Sequence, residues 1–286
     1  MILIADSGST KTAWMEVETG NMVVTEGLNP HFTTDEQFLD ACATVRQHFP
    51  QLQTTDSLTT YFYGAGCGNA SQRERVERLL SAAFRTGDIH VETDMLGACH
   101  AASGDRASIV AILGTGSNAC YYNGTAIECQ PTSTGFILGD HGSANHVGRI
   151  LLNDYLTHRM PDGVRTLFYD AYHQSDDQLI DIIYHQSNPN RFLASLAPFA
   201  VSHANDEYCA GVLAEALYEW YHGPLEALRE QSGYNEGEIN FVGGFAKAID
   251  YILRAYFADD TLTVGTVMAD PIEGLRRYHL GTSMPQ

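Results

Sequence analysis

The apolar positions of this chain fall into two rhythms, and the change from one to the other marks its elements. Residues 2–5 are a short apolar run, broken by the polar stretch Asp6-Ser7-Gly8-Ser9-Thr10-Lys11, after which a second extended run continues through Val17. A Gly20-Asn21 turn leads to a third run at 22–25, so the pattern predicts an opening β-meander instead of a strand–helix–strand unit. Thr34-x-x-Gln37 reads as a capping box ahead of Phe38, Cys42, Val45 and Phe49, which share one helical face. Residues 61–63 predict a strand. Ser71-x-x-Glu74 predicts the start of a second helix that carries Val76, Leu79, Leu80 and Ala83 and stops near Gly87. A strand over 89–92 hands over at Asp94 to a helix over 95–102.

The opening pattern returns at Ile109. An apolar run over 109–113 is followed by the loop Gly114-Thr115-Gly116-Ser117-Asn118, an extended run over 119–122 and an Asn123-Gly124 turn. Superposing Gly8 on Gly116 and Ser9 on Ser117, an offset of 108, also brings Ile2 onto Val110 and Ile4 onto Ile112. The two hairpins therefore read as copies, and the expected division is 1–107 and 108–286. Such a duplication sets two glycine-hydroxyl loops across a cleft, a layout that suits a polyphosphate. The second half reads as more helical, with helices expected over 144–160, 178–186, 190–203, 206–230 and 246–257 and strands over 239–242 and 262–267. A last helix starts at Pro271 and runs over 271–280, placed to pack back on the N-terminal domain.

Charge narrows the partners. Against 16 Lys+Arg stand 35 Asp+Glu, a formal net charge of −19, which disfavours nucleic acid because such partners demand a basic face. Any phosphate this chain handles needs a locally built site. No apolar stretch approaches the ~20 residues of a membrane span, and the first residues lack the pattern of a signal peptide, so a cytoplasmic location and no membrane partner are expected. The six cysteines contain no CxxC pair and read as small buried hydrophobes. The aromatic-rich stretch with Tyr218, Trp220 and Tyr221 suits either the core or a second copy, so a homodimer stays open.

Neither common phosphate motif fits. Residues 6–12 contain Lys11-Thr12 without the glycine spacing of a P-loop, and Gly114-x-Gly116 precedes a strand where the dinucleotide fingerprint needs a helix. A tight hairpin loop of Gly, Ser and Thr can nevertheless present several backbone N–H groups to an anion. Asp6 suits Mg²⁺ held through water, or an Asx turn that shapes the loop. Asp94 suits an N-cap, or a general base toward a substrate hydroxyl. The loop over 135–144 ends in a helix entry capped by Asp140 or Ser143 and is also a candidate ligand loop. Gly243-Gly244 allows close backbone approach to a ligand, or close helix–sheet packing. No metal site is expected among the histidines, since none shows H-E-x-x-H spacing and His141 and His146 are five apart.

Five motifs then stand in order: Asp6-Ser7-Gly8-Ser9-Thr10-Lys11-Thr12, Thr93-Asp94, Leu113-Gly114-Thr115-Gly116-Ser117, Leu138-Gly139-Asp140-His141-Gly142-Ser143 and Phe241-Val242-Gly243-Gly244. Together they resemble the ATPase superfamily that unites sugar kinases, heat-shock chaperones and actin. More closely the chain resembles the N-acetylglucosamine-kinase-like members of the BadF/BadG/BcrA/BcrD-type ATPase family, over nearly its whole length. The resemblance implies an α/β fold of two ribonuclease-H-like (actin-like ATPase) domains with ATP in a cleft between them. It implies a kinase of amino-sugar metabolism that uses ATP and Mg²⁺ to phosphorylate the 6-hydroxyl of N-acetylglucosamine or a related hexosamine. Gly8, Ser9, Thr10 and Lys11, with Gly114, Thr115, Gly116 and Ser117, would contact phosphates. Asp6 would hold Mg²⁺, Gly243 and Gly244 would cradle the adenosine, Asp94 would be the catalytic base, and Asn29, Asp94 and Asp140 would bind the sugar. The chain departs from the family at His141, where Glu is usual, and at Phe245-Ala246-Lys247. Two rival readings are a non-catalytic sugar or nucleotide sensor, motivated by His141, and an activator ATPase of a dehydratase or reductase, whose cluster cysteines are absent from the loop after Leu138.

Overall fold

A computed structural model describes residues 1–8, 10–53 and 57–282. The chain divides into two compact units: 1–107 with 123–127 and 270–286, and 108–122 with 128–269.

In the first unit β1 (Ile2–Ser7), β2 (Lys11–Glu16) and β3 (Met22–Glu26) form the expected meander. Then follow α1 (Asp35–His48), β4 (Thr59–Gly64), α2 (Ala70–Phe84), β5 (Ile89–Thr93) and α3 (Asp94–Ser103). The sheet order is β3-β2-β1-β4-β5, with β1 antiparallel to β2 and parallel to β4, and β4 parallel to β5. This order brings the C-terminal ends of β1, β4 and β5 together at one edge, where ligand loops of open α/β sheets gather. The Thr34–Gln37 capping box closes as the sequence predicts. The second helix starts earlier than expected: Asn69, whose side chain accepts from Gln72 N–H, is the cap, and Ser71 lies inside α2. Trp14, Phe38, Phe62 and Phe84 fill the core between the sheet and α1 and α2.

In the second unit the sheet order is β10-β9-β6-β7-β8, built from β6 (Ala107–Leu113), β7 (Ser117–Asn123), β8 (Ile127–Cys129), β9 (Gly237–Val242) and β10 (Leu262–Met268). The helices are α4 (Gly135–Leu138), α5 (Ala144–Leu156), α6 (Asp162–Tyr172), α7 (Asp176–His185), α8 (Pro189–Ser202), α9 (Glu207–Trp220), α10 (Glu226–Ser232), α11 (Gly244–Ala248) and α12 (Asp250–Tyr256). Four differ from expectation, α4 among them because the sequence over 135–144 predicts a loop. The helix expected over 206–230 is split by a π-helical turn at Tyr221–Leu225, where Pro224 lacks the N–H that an α-helical ladder needs. The helix over 246–257 is two pieces, and α6 was not anticipated. Gly148 of α5 lies so close to α8 that a Cβ there would overlap the Leu193 carbonyl oxygen. Trp220 is buried in the core while Tyr218 is largely exposed.

The terminal helix α13 (Ile272–His279) belongs to the first unit. Gly274 meets the backbone of Ala101 on α3, and the Tyr63 hydroxyl lies 3.0 Å from both His100 Nδ1 and His279 Nε2. Burial pushes both imidazoles down to about 4. The two hairpins correspond in a different register from the one expected. Both have three-residue loops, 8–10 and 114–116, so Gly8 matches Gly114 at an offset of 106, not Gly116 at 108.

Candidate functional site

In the first unit the hairpin loop closes through Gly8 N–H on the Lys11 carbonyl at 3.0 Å. Beneath it the Ser7 and Thr12 hydroxyls pair at 2.9 Å, and Ser7 Oγ also accepts from Leu28 N–H at 3.2 Å. This bond ties the glycine loop to the segment that carries Asn29. Asn29 is buried; its Oδ1 accepts from His31 N–H at 3.0 Å, and its carbonyl accepts from Phe32 and Thr33. Gly66, at φ +86°, passes so close that a Cβ would overlap Asn29 Oδ1. Arg75 holds the same segment through the carbonyls of Pro30 (2.6 Å) and Thr33 (2.7 Å) and through Asp35 (2.7 Å).

Three carboxylates share this edge. Asp6, at the end of β1, is pushed up to about 7 by burial and by repulsion from Asp270 and Asp94, with Lys11 opposing. Lys11 Nζ pairs with Asp270 at 3.0 Å, both side chains about half exposed. Asp94 opens α3, but Thr93 is its N-cap, accepting from Leu96 N–H at 3.1 Å. Asp94 is thus spared the capping duty considered for it; one of its oxygens takes Met95 N–H at 2.9 Å, and burial raises its pKa. Oxygen ligands under mutual repulsion fit a hard divalent cation such as Mg²⁺. Thr10 is exposed in the loop, and Ser9 lies outside the described residues.

In the second unit, Gly114, Thr115, Gly116 and Ser117 meet the 140–145 loop. Ala144 N–H donates to the Gly114 carbonyl (3.0 Å), and Asn145 donates from both its backbone N–H (3.1 Å) and Nδ2 (2.7 Å) to the Thr115 carbonyl. Ser143 is the cap of α5, accepting from His146 N–H at 3.3 Å, and Asp140 is not. The N-terminus of α5 is therefore filled by the glycine loop's own carbonyls. Asp140, in the left-handed region at φ 55°, accepts from Ser117 N–H (3.1 Å) and Asn145 Nδ2 (2.9 Å). A Cβ on Gly116 would sit 2.8 Å from the Asp140 carboxylate. Gly243, at φ +128°, crosses the start of the same loop, where a Cβ would overlap the Leu113 carbonyl oxygen, and Gly244 opens α11. The candidate residues of each unit thus gather at one edge of its sheet.

A third cluster was not anticipated. His141 Nδ1 and His146 Nε2 lie 3.1 Å and 3.2 Å from the same Glu219 oxygen, a convergence of three side chains able to hold a metal ion. Glu219 comes from α9, brought alongside because Gly142, at φ +73°, packs directly on Trp220. All six cysteines are free thiols and five are buried; burial raises Cys42 and Cys67 to about 12. Among the described residues no helix is long and apolar enough to cross a membrane.

A family model for BadF/BadG/BcrA/BcrD ATPases matches residues 5–274. The chain belongs to the BadF/BadG/BcrA/BcrD ATPase family. Among solved structures it resembles a proposed N-acetylglucosamine kinase from Porphyromonas gingivalis, at 31% identity and TM-score 0.89 over 98% of this chain and 99% of that one. A second proposed N-acetylglucosamine kinase, from Chromobacterium violaceum, matches at 18% identity and TM-score 0.73 over 97% and 98%. A ROK family glucokinase from Streptomyces griseus, solved with glucose and AMPPNP, matches at 15% identity and TM-score 0.54 over 98% and 99%. The last two show the fold alone: the two five-stranded sheets of this family member are those of actin-like ATPases and ROK sugar kinases. No curated protein matches the sequence.

Several residues of this BadF/BadG/BcrA/BcrD family member escaped the sequence reading. Asp270 and Arg75 act on the site from distant sequence positions, and nothing in their local pattern marks them. Thr93 was legible, since a Thr before an Asp at a helix start is itself a preferred cap. Asn145 and Glu219 sit within helical patterns where polar residues normally face solvent, yet Asn145 is fully buried. Its Nδ2 must face the two acceptors Thr115 O and Asp140 Oδ2, which leaves Oδ1 without a partner among the described residues.

Proposed function

We propose that this family member is an ATP-dependent sugar kinase that transfers the γ-phosphoryl group of ATP to the 6-hydroxyl of N-acetylglucosamine or a related hexosamine. The observation that carries this reading is Asp94: a half-buried carboxyl with raised pKa, relieved of capping by Thr93 and set beside Asp6. Family membership and the 31% identity to a proposed N-acetylglucosamine kinase support the substrate class.

Phosphoryl transfer asks a protein mainly for positioning and electrostatics. Asp94 orients the acceptor hydroxyl and takes its proton, and burial, by raising its pKa, moves it toward the neutral range where a base works best. Gly8, Thr10 and Lys11 in the first unit, and Gly114, Thr115, Gly116 and Ser117 in the second, take the phosphate contacts. Lys11 must exchange Asp270 for phosphate, an exchange that is cheap because the exposed pair contributes little. Gly243 and Gly244 take the adenosine, and Asn29 and Asp140 take the sugar. Mg²⁺, held through Asp6, neutralises charge on the phosphates when bound.

The test is turnover of ATP against a panel of hexosamines, with Asp94→Asn beside the wild type. The variant keeps ATP binding and loses ~10²–10⁴ of kcat, the usual share of a positioned base. An unchanged rate removes Asp94 from the mechanism, and no turnover with any sugar overturns the kinase reading.

A further inference from the structure

The His141–Glu219–His146 cluster lies outside the roles assigned above, and its hydrogen bonds fix where each proton sits. Gly142 N–H donates to His146 Nδ1 at 3.1 Å, so that nitrogen presents a lone pair. A neutral imidazole carries one hydrogen, so His146 bears it on Nε2, where it meets Glu219 Oε2 at 3.2 Å. His146 is almost wholly buried, and burial pushes its pKa down to about 4, in keeping with a neutral ring. A carboxylate only accepts, so the His141 nitrogen 3.1 Å away, Nδ1, also carries hydrogen. When the His141 ring carries a single hydrogen, its remaining nitrogen, Nε2, is then an acceptor.

The ring is also held mechanically. The His141 carbonyl accepts from Ser117 Oγ at 2.7 Å, and the His141 and His146 rings meet edge to face at 5.4 Å. The His141 side chain is one-third exposed, within reach of a ligand, and its neighbour Asp140 lines the second glycine loop.

We propose that Glu219 and His146 are positioning residues that hold His141 with Nε2 as a hydrogen-bond acceptor for a hydroxyl of the sugar bound beside Asp140. The proposal rests on the sugar-kinase reading. The three side chains also converge as metal ligands do, but a metal on His146 Nε2 would move the ring hydrogen to Nδ1, directly against Gly142 N–H. The proton arrangement and the metal arrangement therefore exclude one another.

Two measurements test this. Nitrogen NMR of the intact protein should show His146 as the Nε2–H tautomer and His141 as the Nδ1–H tautomer, and Glu219→Gln should release the His141 preference. Steady-state kinetics on a hexosamine that the wild type phosphorylates should show Glu219→Gln raising the sugar KM about tenfold, the weight of one hydrogen bond, with kcat and the ATP KM far less affected. In a His141→Gln background, where the amide oxygen accepts without needing a tautomer, Glu219→Gln should add no further loss. Additive losses, an Nδ1–H tautomer at His146, or stoichiometric Zn²⁺ binding that His146→Gln abolishes would each overturn the proposal. If the wild type turns over no sugar, the kinase reading and the sugar contact fall together, while the NMR still reports whether the relay exists.

Discussion

Replacing Asp6 by Asn should stabilise the ligand-free protein at neutral pH. The carboxyl ordinarily titrates at 3.8 and is pushed up to about 7, first by burial and then by Asp270 and Asp94. A carboxyl whose folded pKa is raised adds stability that is complete below the unfolded value and lost as pH rises through the folded one. Above pH 7 the folded chain must therefore ionise Asp6 in a place that resists charge. Roughly three pH units at ~1.4 kcal/mol each set a ceiling of about 4 kcal/mol. The carboxyl keeps some contact with water, which screens part of this, so the expected gain is about 2–4 kcal/mol. Asn keeps the shape and removes the charge. The assay is urea denaturation without Mg²⁺ or nucleotide, followed by fluorescence of Trp14 in a Trp220→Phe background, because Trp14 lies in the first core and Trp220 in the second. The advantage of Asp6→Asn should be full at pH 7.5, shrink as pH falls and vanish near pH 4. Equal stabilities at pH 7.5 would refute the reasoning that Asp6 is held ionised against its surroundings.

In the Asp6→Asn background, lowering the pH from 7.5 to 5.5 should cost about 4 kcal/mol, because His100, His279 and His146 drop from 6.5 to about 4 and the unfolded chain alone gains their protons; His100→Gln with His279→Gln should remove about two thirds of this slope in the same urea titration. In the wild type the Asp6 contribution runs the opposite way and masks part of it. Gly148→Ala should cost about 3 kcal/mol or prevent folding, since the added methyl overlaps the Leu193 carbonyl, whereas Gly211→Ala, in α9 with open space around it, should raise Tm through a gain of about 1 kcal/mol. Asp94→Asn should separate binding from rate: isothermal titration with an ATP analogue stays within a few-fold of wild type while kcat falls by ~10²–10⁴.

The elements that could be read from sequence are those whose signal is local. The first meander, the Thr34–Gln37 box and the β5-to-α3 handover each depend on residues within a few positions of one another, and each formed where expected. Errors arose where packing decides. Glycine identity points to an offset of 108, yet a three-residue loop in each hairpin equates Gly8 with Gly114, because strand length and not residue type sets the correspondence. Ser71 resembles a cap by its spacing to Glu74, but Asn69 lies nearer the chain entry and takes Gln72 N–H, while Ser71 Oγ itself donates to Asn69 Oδ1. His141 and His146 looked unrelated because five residues is no simple helical repeat. They meet because His141 lies in the loop before α5 and reaches the same oxygen of Glu219 from outside the helix.

The two glycine loops look alike in sequence but differ in how their charge is arranged, and the difference says which one depends on a ligand. Around 114–117 the account is nearly closed: Ser117 N–H is taken by Asp140, the first N–H groups of α5 by the Gly114 and Thr115 carbonyls, and Asp140 by two donors, with Asn145 Oδ1 left over. That loop can be rigid before anything binds. Around residues 8–11 the account is open, since Asp6 is raised by burial and then by its acidic neighbours, and the nearby cation, Lys11, is spent on exposed Asp270. A cation and a phosphate together would relieve both conditions, drawing repulsion away from Asp6 and giving Lys11 an anion of higher charge. The first unit therefore gains more from Mg²⁺ and nucleotide than the second, and its amide-exchange protection should rise on their addition while the 140–145 segment, already hydrogen-bonded, changes little. Equal protection gains in both segments would mean that the open electrostatics at Asp6 are not what the ligand satisfies.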